Sequence, residues 1–492
     1  MTGTPDDRVA PSREDPVVRA ASPAVGGPLG ARAGRHPWWT PARVVLLLTA
    51  VAFALGMVQK VPCAVTDWND LDGRYAHMCY SDLPYLYTGR GLAEANWPYS
   101  ADPQVRARYP EVMEYPPGIS YWAWGTARVT QVLTGSPDLS ARVGRPVEEV
   151  VGLPAVQREV RWYVVVNAVG LALVTLVAAA FLVGVNPRRP WDAAAFAVLP
   201  ALALSGLVNW DLLAVAMVAA ALWAWARGRP VLTGVMIGVG TATKLYPLFL
   251  LGGVLVLCLR ERRWRDLGLT AGATAVAWQA ANAPAFLTGP EQWRVFWGFN
   301  ADRGADLGSL WLVARDAGVP GIDAGTINTV SWLFFLCWCL GVAALGLRAP
   351  VTPRLAQLGF LVVVGFLLVN KVYSPQYVLW LLPLAVLARP RWRDLLIWQA
   401  GEVVYFAAVW WYLGGLLDPS AGGRPGAYWI AIGLRVLAEL WLVAMVVRDV
   451  VRPEHDPVDR GSDDADPVDV GGGEADPDVD LVTDRGDPRP RG

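Results

Sequence analysis

Val231-Leu-Thr-Gly-Val-Met-Ile-Gly-Val-Gly-Thr-Ala-Thr-Lys244-Leu-Tyr-Pro247-Leu-Phe-Leu-Leu-Gly-Gly-Val-Leu-Val-Leu-Cys-Leu259 is a run of apolar and small residues broken at one place, by Lys244 and Pro247. It exceeds the ~20 residues that cross a bilayer. A proline inside a membrane leaves a carbonyl to be satisfied elsewhere, so the run predicts two short helices or one broken helix. Broken helices in membranes border cavities. The run ends in Arg260-Glu-Arg-Arg-Trp-Arg265, a short basic connection.

The same pattern recurs along the chain. Further apolar runs cover 44–58, 161–184, 192–208, 210–226, 266–287, 327–347, 354–369, 376–388, 394–413 and 428–447. The 492 residues are 54% hydrophobic and 17% charged, against about 25% charged in soluble domains. This excludes an ordinary soluble enzyme and predicts an all-α polytopic integral membrane protein of about 12 transmembrane helices (11 to 13), split at 231–246 and 247–259. Residues 116–135 are read as an interfacial helix on Arg128 and their Trp and Tyr content. If they cross, every later segment reverses.

The net charge of −1 hides a segregation: Glu454 to Asp487 carries 13 acids and two arginines, which leaves the remainder at +10. Residues 1–40 read as a disordered cytoplasmic tail, 41–450 as the membrane domain and 451–492 as a disordered acidic cytoplasmic tail. Within 41–450, two long loops, 60–160 and 288–326, are expected outside. The short connections 186–190, 227–230, 260–265, 348–354 and 389–393 are basic and therefore cytoplasmic by the positive-inside rule. Alternation then puts the polar connections on the external side.

Five cysteines and three histidines show no metal-ligand spacing, so no metal is expected. Cys63 and Cys79 share an external segment where either a disulfide or two free thiols fits; Cys337 and Cys339 read as packing. No Walker, GxGxxG or GxSxG motif occurs. A cytoplasmic nucleotide-sugar donor is therefore disfavoured, and nothing points to nucleic acid.

Chemistry concentrates in the external connections. Asp67 to Gly91 and Met113 to Gly118 combine acids with aromatics, which suits a sugar site and equally an interfacial belt. Asn209-Trp-Asp211 places an acid at the lip of a bundle, a functional position or a helix cap. Lys244 and Lys371, each followed by Tyr and Pro, oppose the inside bias on the external side. They suit a lipid phosphate, or else snorkel to water. Asn300 to Ser309 adds Arg303 among acids and amides.

Ser81-Asp-Leu-Pro-Tyr-Leu-Tyr87 with Gly89, Tyr115-Pro-Pro-Gly118, Asn209-Trp-Asp211, Thr243-Lys-Leu-Tyr-Pro247 and Asn370-Lys-Val-Tyr-Ser-Pro-Gln-Tyr-Val-Leu-Trp-Leu-Leu-Pro383 follow one another in an order that resembles glycosyltransferase family 87. This polyprenol-phosphate-dependent group belongs to the multi-span C-type glycosyltransferases. The resemblance covers about residues 40–450. It implies transfer of a sugar, mannose first and arabinofuranose second, from a polyprenyl-phosphate donor to a lipid-linked or cell-envelope glycan, on the external face of the plasma membrane. With cations available for the donor monophosphate, no metal or other cofactor is expected.

Carried over to this sequence, the family's catalytic carboxylate is Asp82, although Pro84 and the upstream Asp67, Asp70 and Asp72 depart from the pattern. Lys244, Lys371 and Arg303 are the candidate phosphate-binding cations. Asn209, Asp211, Tyr85, Tyr87, Tyr115, Tyr246, Asn300, Tyr373 and Gln376 are the candidate substrate contacts. A transporter or flippase of polyprenyl-linked sugars, and a non-catalytic envelope scaffold, are the competing readings. Against alternating access stand the one-sided polar motifs.

Overall fold

In a computed structural model, the described residues are 15–21, 38–68, 70, 72–110, 113–418 and 424–458. The tails expected at 1–40 and 451–492 fall largely outside them. Secondary structure among the described residues is entirely helical.

Among the described residues, four helices are long and apolar enough to cross a membrane: Pro41–Gln59, Pro154–Val185, Ala324–Arg348 and Gly426–Val451. Shorter apolar helices cover Leu212–Ala226, Pro230–Thr243, Leu355–Val369 and Pro375–Ala388. Longer but less apolar helices run over Trp264–Thr288 and Trp392–Leu413. Leu355–Val369 and Val378–Ala388 are buried on nearly every side, as expected of helices without a polar face. Ala324–Arg348 turns Trp332, Leu333, Leu336 and Leu340 outward and buries only four residues, which gives it the surface of a helix facing lipid.

The broken stretch behaves as read from Lys244 and Pro247. Pro230–Thr243 stops at Lys244 in extended backbone, a 3-10 turn covers Tyr246–Phe249, and Leu250–Glu261 continues. Residues 192–208 do not form the single helix expected of them. They divide into a 3-10 turn at Pro190–Ala193 and two short helices, Ala194–Val198 and Pro200–Ser205. Leu199, which precedes Pro200, is held extended at φ −68°, ψ 139°, since a proline disfavours helical backbone in the residue before it. Residues 116–135 form the helix Pro117–Leu133, one face of which is buried.

Close approach fixes the helix that leads to Lys244. A Cβ at Gly234 or Gly238 would strike the carbonyl oxygens of Thr270 and Thr274 on the Trp264–Thr288 helix, the pattern of small residues spaced by four. The hydroxyls of Thr270 and Thr274 donate back across the seam to the carbonyls of Pro230 and Gly234, each at 3.1 Å.

The array has two chemically different ends. The basic connections meet at one, where Arg389 pairs with Asp394 and Asp449 and Arg354 pairs with Asp456. The opposite end carries Asp82, Asp211, Lys244 and Tyr115. A disulfide between Cys63 and Cys79 ties that end together, with Cα atoms 5.7 Å apart. Cys337 is exposed on the outward helix and Cys339 is half-buried, so the packing role expected of the pair does not hold for Cys337.

Candidate active site

Asp82 opens the helix Asp82–Gly89, with Ser81 as its cap. Two bonds fix this start to a distant segment: the Asp82 N–H donates to the Val208 carbonyl at 2.8 Å, and the Ser81 hydroxyl donates to the same oxygen at 3.3 Å. The first long loop is thereby pinned beside Asn209-Trp-Asp211. Trp210 is itself held by Asn167, whose Oδ1 accepts the indole N–H of Trp210 at 2.7 Å and that of Trp122 at 3.0 Å.

The Tyr115 hydroxyl donates to Asp82 Oδ2 at 3.0 Å. Burial pushes the Asp82 carboxyl above the usual carboxylate range; the hydroxyls of Tyr80 and Tyr115 and the charge of Lys244 pull it back, and Glu114 adds to the rise. Lys60, buried at the end of its helix, donates to the Tyr80 carbonyl at 2.8 Å and lies within electrostatic reach of Asp82.

Lys244 stands buried at the break between the two helices. Its ammonium pairs with Asp211 at 2.9 Å and lies 4.7 Å from the Tyr115 ring centre, 5.8 Å from that of Trp380 and 5.9 Å from that of Tyr377. Three aromatic faces around one ammonium make a cation–π cage. Tyr246 and Tyr377 sandwich Trp380, with ring centres 4.6 and 4.0 Å from it. The Tyr246 hydroxyl, the Asn209 amide nitrogen and the Gln376 amide oxygen are buried with no hydrogen-bond partner among the described residues, polar atoms of the kind a ligand's hydroxyls satisfy.

Arg303 follows the helix Pro290–Asp302 and is forked onto Asp306 at 2.6 and 2.8 Å. It lies within electrostatic reach of Tyr377, a wall of the cage, and of the Glu114 carboxylate. Arg90 holds Glu114 at 3.1 Å.

The other candidates separate. Lys371 donates to the carbonyls of Asn300 and Ala301 at 2.7 and 3.3 Å, so it caps the helix leading to Arg303. The Asn300 amide donates within its own helix, to Phe296. Tyr85 bonds the Trp68 carbonyl and stacks on Tyr80 beside Arg74, on the rim near Asp82. Tyr87 points into the core, where it donates to Glu159, the partner of Arg142.

Tyr373 lies behind the cage. It donates to Glu402 at 2.9 Å, and the Arg435 guanidinium sits 3.6 Å from its ring centre. Tyr80, Tyr377, Trp380, Lys60 and Glu114 belong to the site and were not among the sequence candidates. Tyr377 and Trp380 stand one helical turn apart just after Pro375, a spacing that puts both on one face.

The arrangement supplies a buried carboxylate, a caged ammonium, a guanidinium within electrostatic reach of the cage and unpaired buried polar atoms on Asn209, Tyr246 and Gln376. It can deprotonate a hydroxyl at one point and receive negative charge at another. No curated protein matches the chain. The model of glycosyltransferase family 87 matches residues 152–370, a range that includes Asn209, Asp211, Lys244 and Arg303 and lies beyond Asp82 and Tyr115. Over residues 152–370 the chain is thus similar to glycosyltransferase family 87, and its long apolar helices are of the kind that cross a membrane.

Proposed function

We propose that the protein transfers a sugar, mannose in the first instance, from a polyprenyl-phosphate donor to a lipid-linked or cell-envelope glycan on the external face of the plasma membrane. The chain crosses about 12 times, with both termini cytoplasmic. The observation that carries this reading is that one tyrosine joins the two charges: the Tyr115 hydroxyl bonds Asp82 while the Lys244 ammonium lies over the Tyr115 ring.

In a single inverting displacement, an acceptor hydroxyl oxygen attacks the anomeric carbon while Asp82 takes its proton. The bond from that carbon to the phosphate oxygen breaks, and its electron pair leaves with the polyprenyl phosphate. General-base assistance contributes about 10²–10⁴ in rate. Lys244 and Arg303 receive the charge that develops on the leaving phosphate, Lys244 by exchanging Asp211 for it. Asn209, Tyr246 and Gln376 offer partners for sugar hydroxyls, and the monophosphate needs no metal with these cations present.

The test is transfer from radiolabelled polyprenyl-phosphate mannose, and in parallel polyprenyl-phosphate arabinose, to total envelope acceptors by purified wild type and Asp82→Asn. Transfer by wild type alone supports the donor class and the base together. No transfer, with labelled lipid crossing reconstituted vesicles instead, replaces this reading with a flippase.

A further inference from the structure

At the basic end, far from the caged lysine, the chain binds a piece of its own tail. Asp456, only 2% exposed, accepts from Arg354 Nη2 at 3.2 Å, from Arg354 Nη1 and from Gln357 Nε2 at 2.9 Å. The seat is organised before the tail reaches it: Gln357 Oε1 accepts the Arg354 N–H at 2.9 Å, and Arg354 Nη2 also donates to the Ala388 carbonyl at 2.8 Å. Asp456 in turn accepts the N–H of Val458 at 2.9 Å. This is an Asx turn across Pro457, and it points the chain at an adjoining cavity.

That cavity, about 300 Å³, is lined by Leu222, Trp225, Leu257, Leu355 and Leu387, with Val458 at its edge. The seat therefore reads three features of the tail: a carboxylate for the Arg354–Gln357 fork, a proline that sets the turn, and a small apolar side chain two residues on.

The sequence supplies those features more than once. Asp456-Pro-Val-Asp459 recurs ten residues later as Asp466-Pro-Val-Asp469, and after ten more the chain reads Asp476-Pro-Asp-Val-Asp480. The copy at 466–469 keeps the carboxylate, the proline and the valine at the same offsets. In the copy at 476 the valine is displaced by one residue, which takes it out of register with the turn.

We propose that the Arg354–Gln357 seat and its cavity are a binding site for an Asp-Pro-Val segment, and that the copy at 466–468 takes the seat when 456–458 leaves it. Exchange lengthens the connection from Arg452 from four residues to fourteen. Loop closure weakens with the three-halves power of length, so the second register is disfavoured about sixfold and remains accessible. The tail thus exchanges between two registers, ten residues apart, over one fixed seat.

The test is disulfide trapping in the full-length protein with Cys337 and Cys339 replaced by Ser. Val458→Cys with Thr352→Cys, which both line the cavity, cross-link in high yield. Val468→Cys with Thr352→Cys cross-links at about one sixth of that rate. Adding Asp456→Asn raises the second rate about sixfold, and adding Asp466→Asn instead abolishes it. Ser462→Cys, between the copies, stays low throughout. The proposal is overturned if the 458 pair fails to cross-link, if the 468 yield ignores Asp466→Asn, or if the 462 control matches it.

Discussion

Lys244 and Asp211 form an ion pair of 2.9 Å, with the lysine side chain 9% and the aspartate 0% exposed. Breaking such a pair from one side strands a buried charge and costs about 3–5 kcal/mol, whereas replacing both partners with apolar residues is often neutral. Lys244→Met is therefore strongly destabilised, and Lys244→Met/Asp211→Leu recovers most of the loss. Sugar transfer stays absent in both. Thermal unfolding in detergent beside a transfer assay reads the two effects; a double variant no more stable than the single would show that the pair is not what holds this junction.

Asp82→Asn keeps the bond from its N–H to Val208 and the volume of its side chain, and it removes the base. Transfer falls about 10²–10⁴-fold while unfolding temperature and membrane insertion are unchanged. Activity within tenfold of wild type would assign the proton to another group.

Because burial holds the Asp82 carboxyl above the usual carboxylate range, and only its ionised form is a base, the acid limb of the rate profile lies above the ~3.9 of an ordinary aspartate. Tyr115→Phe removes a hydrogen bond that favours the ionised form, so the limb moves to higher pH. Glu114→Gln removes a like charge and moves it lower. For stability the sense is reversed. A carboxyl whose folded pKa is raised favours the fold most at low pH, and that contribution is lost as pH rises through the folded value. Rate profiles in which neither variant shifts the limb would separate it from Asp82.

The Cys63–Cys79 bridge closes a separation of 16 residues, which contributes about 3 kcal/mol in the chain-entropy model. Cys79→Ser lowers the unfolding temperature and reduces transfer, since Tyr80 and Asp82 follow within three residues. Cys337→Ser changes neither. Measuring melting and transfer with and without reductant distinguishes them.

Lys371 acts on the site through Arg303. Lys371→Met frees the Asn300 and Ala301 carbonyls and loosens the helix that leads to Arg303, which raises KM for the lipid donor about tenfold with a smaller change in kcat. Arg303→Ala lowers both. Equal losses in kcat from the two variants would place Lys371 on the phosphate itself.

The helical class, the break at Lys244 and Pro247, and the meeting of Asp82, Asn209, Asp211 and Lys244 were legible because each rests on a local signal: an apolar run, a proline, an acid at a helix end. Tyr85 and Tyr87 show where such signals stop. Two residues apart on a helix they face different ways, so only Tyr85 reaches the rim while Tyr87 turns to Glu159. Lys371 misled for a related reason. Helix-end carbonyls from a segment remote in sequence compete for its ammonium, and no pattern within 370–383 announces them. The split of 192–208 rests on Leu199-Pro200, a single proline inside an otherwise continuous apolar run.

The glycine seam sets a mechanical condition on the chemistry. Gly234 stands ten residues before Lys244 on one stiff rod, about 15 Å away at 1.5 Å per residue. A single methyl wedged between that rod and Thr270 would tilt it like a lever and swing its far tip, the ammonium, away from the rings that surround it. The bulk of a side chain at one end of the bundle is thereby geared to the position of a charge at the other.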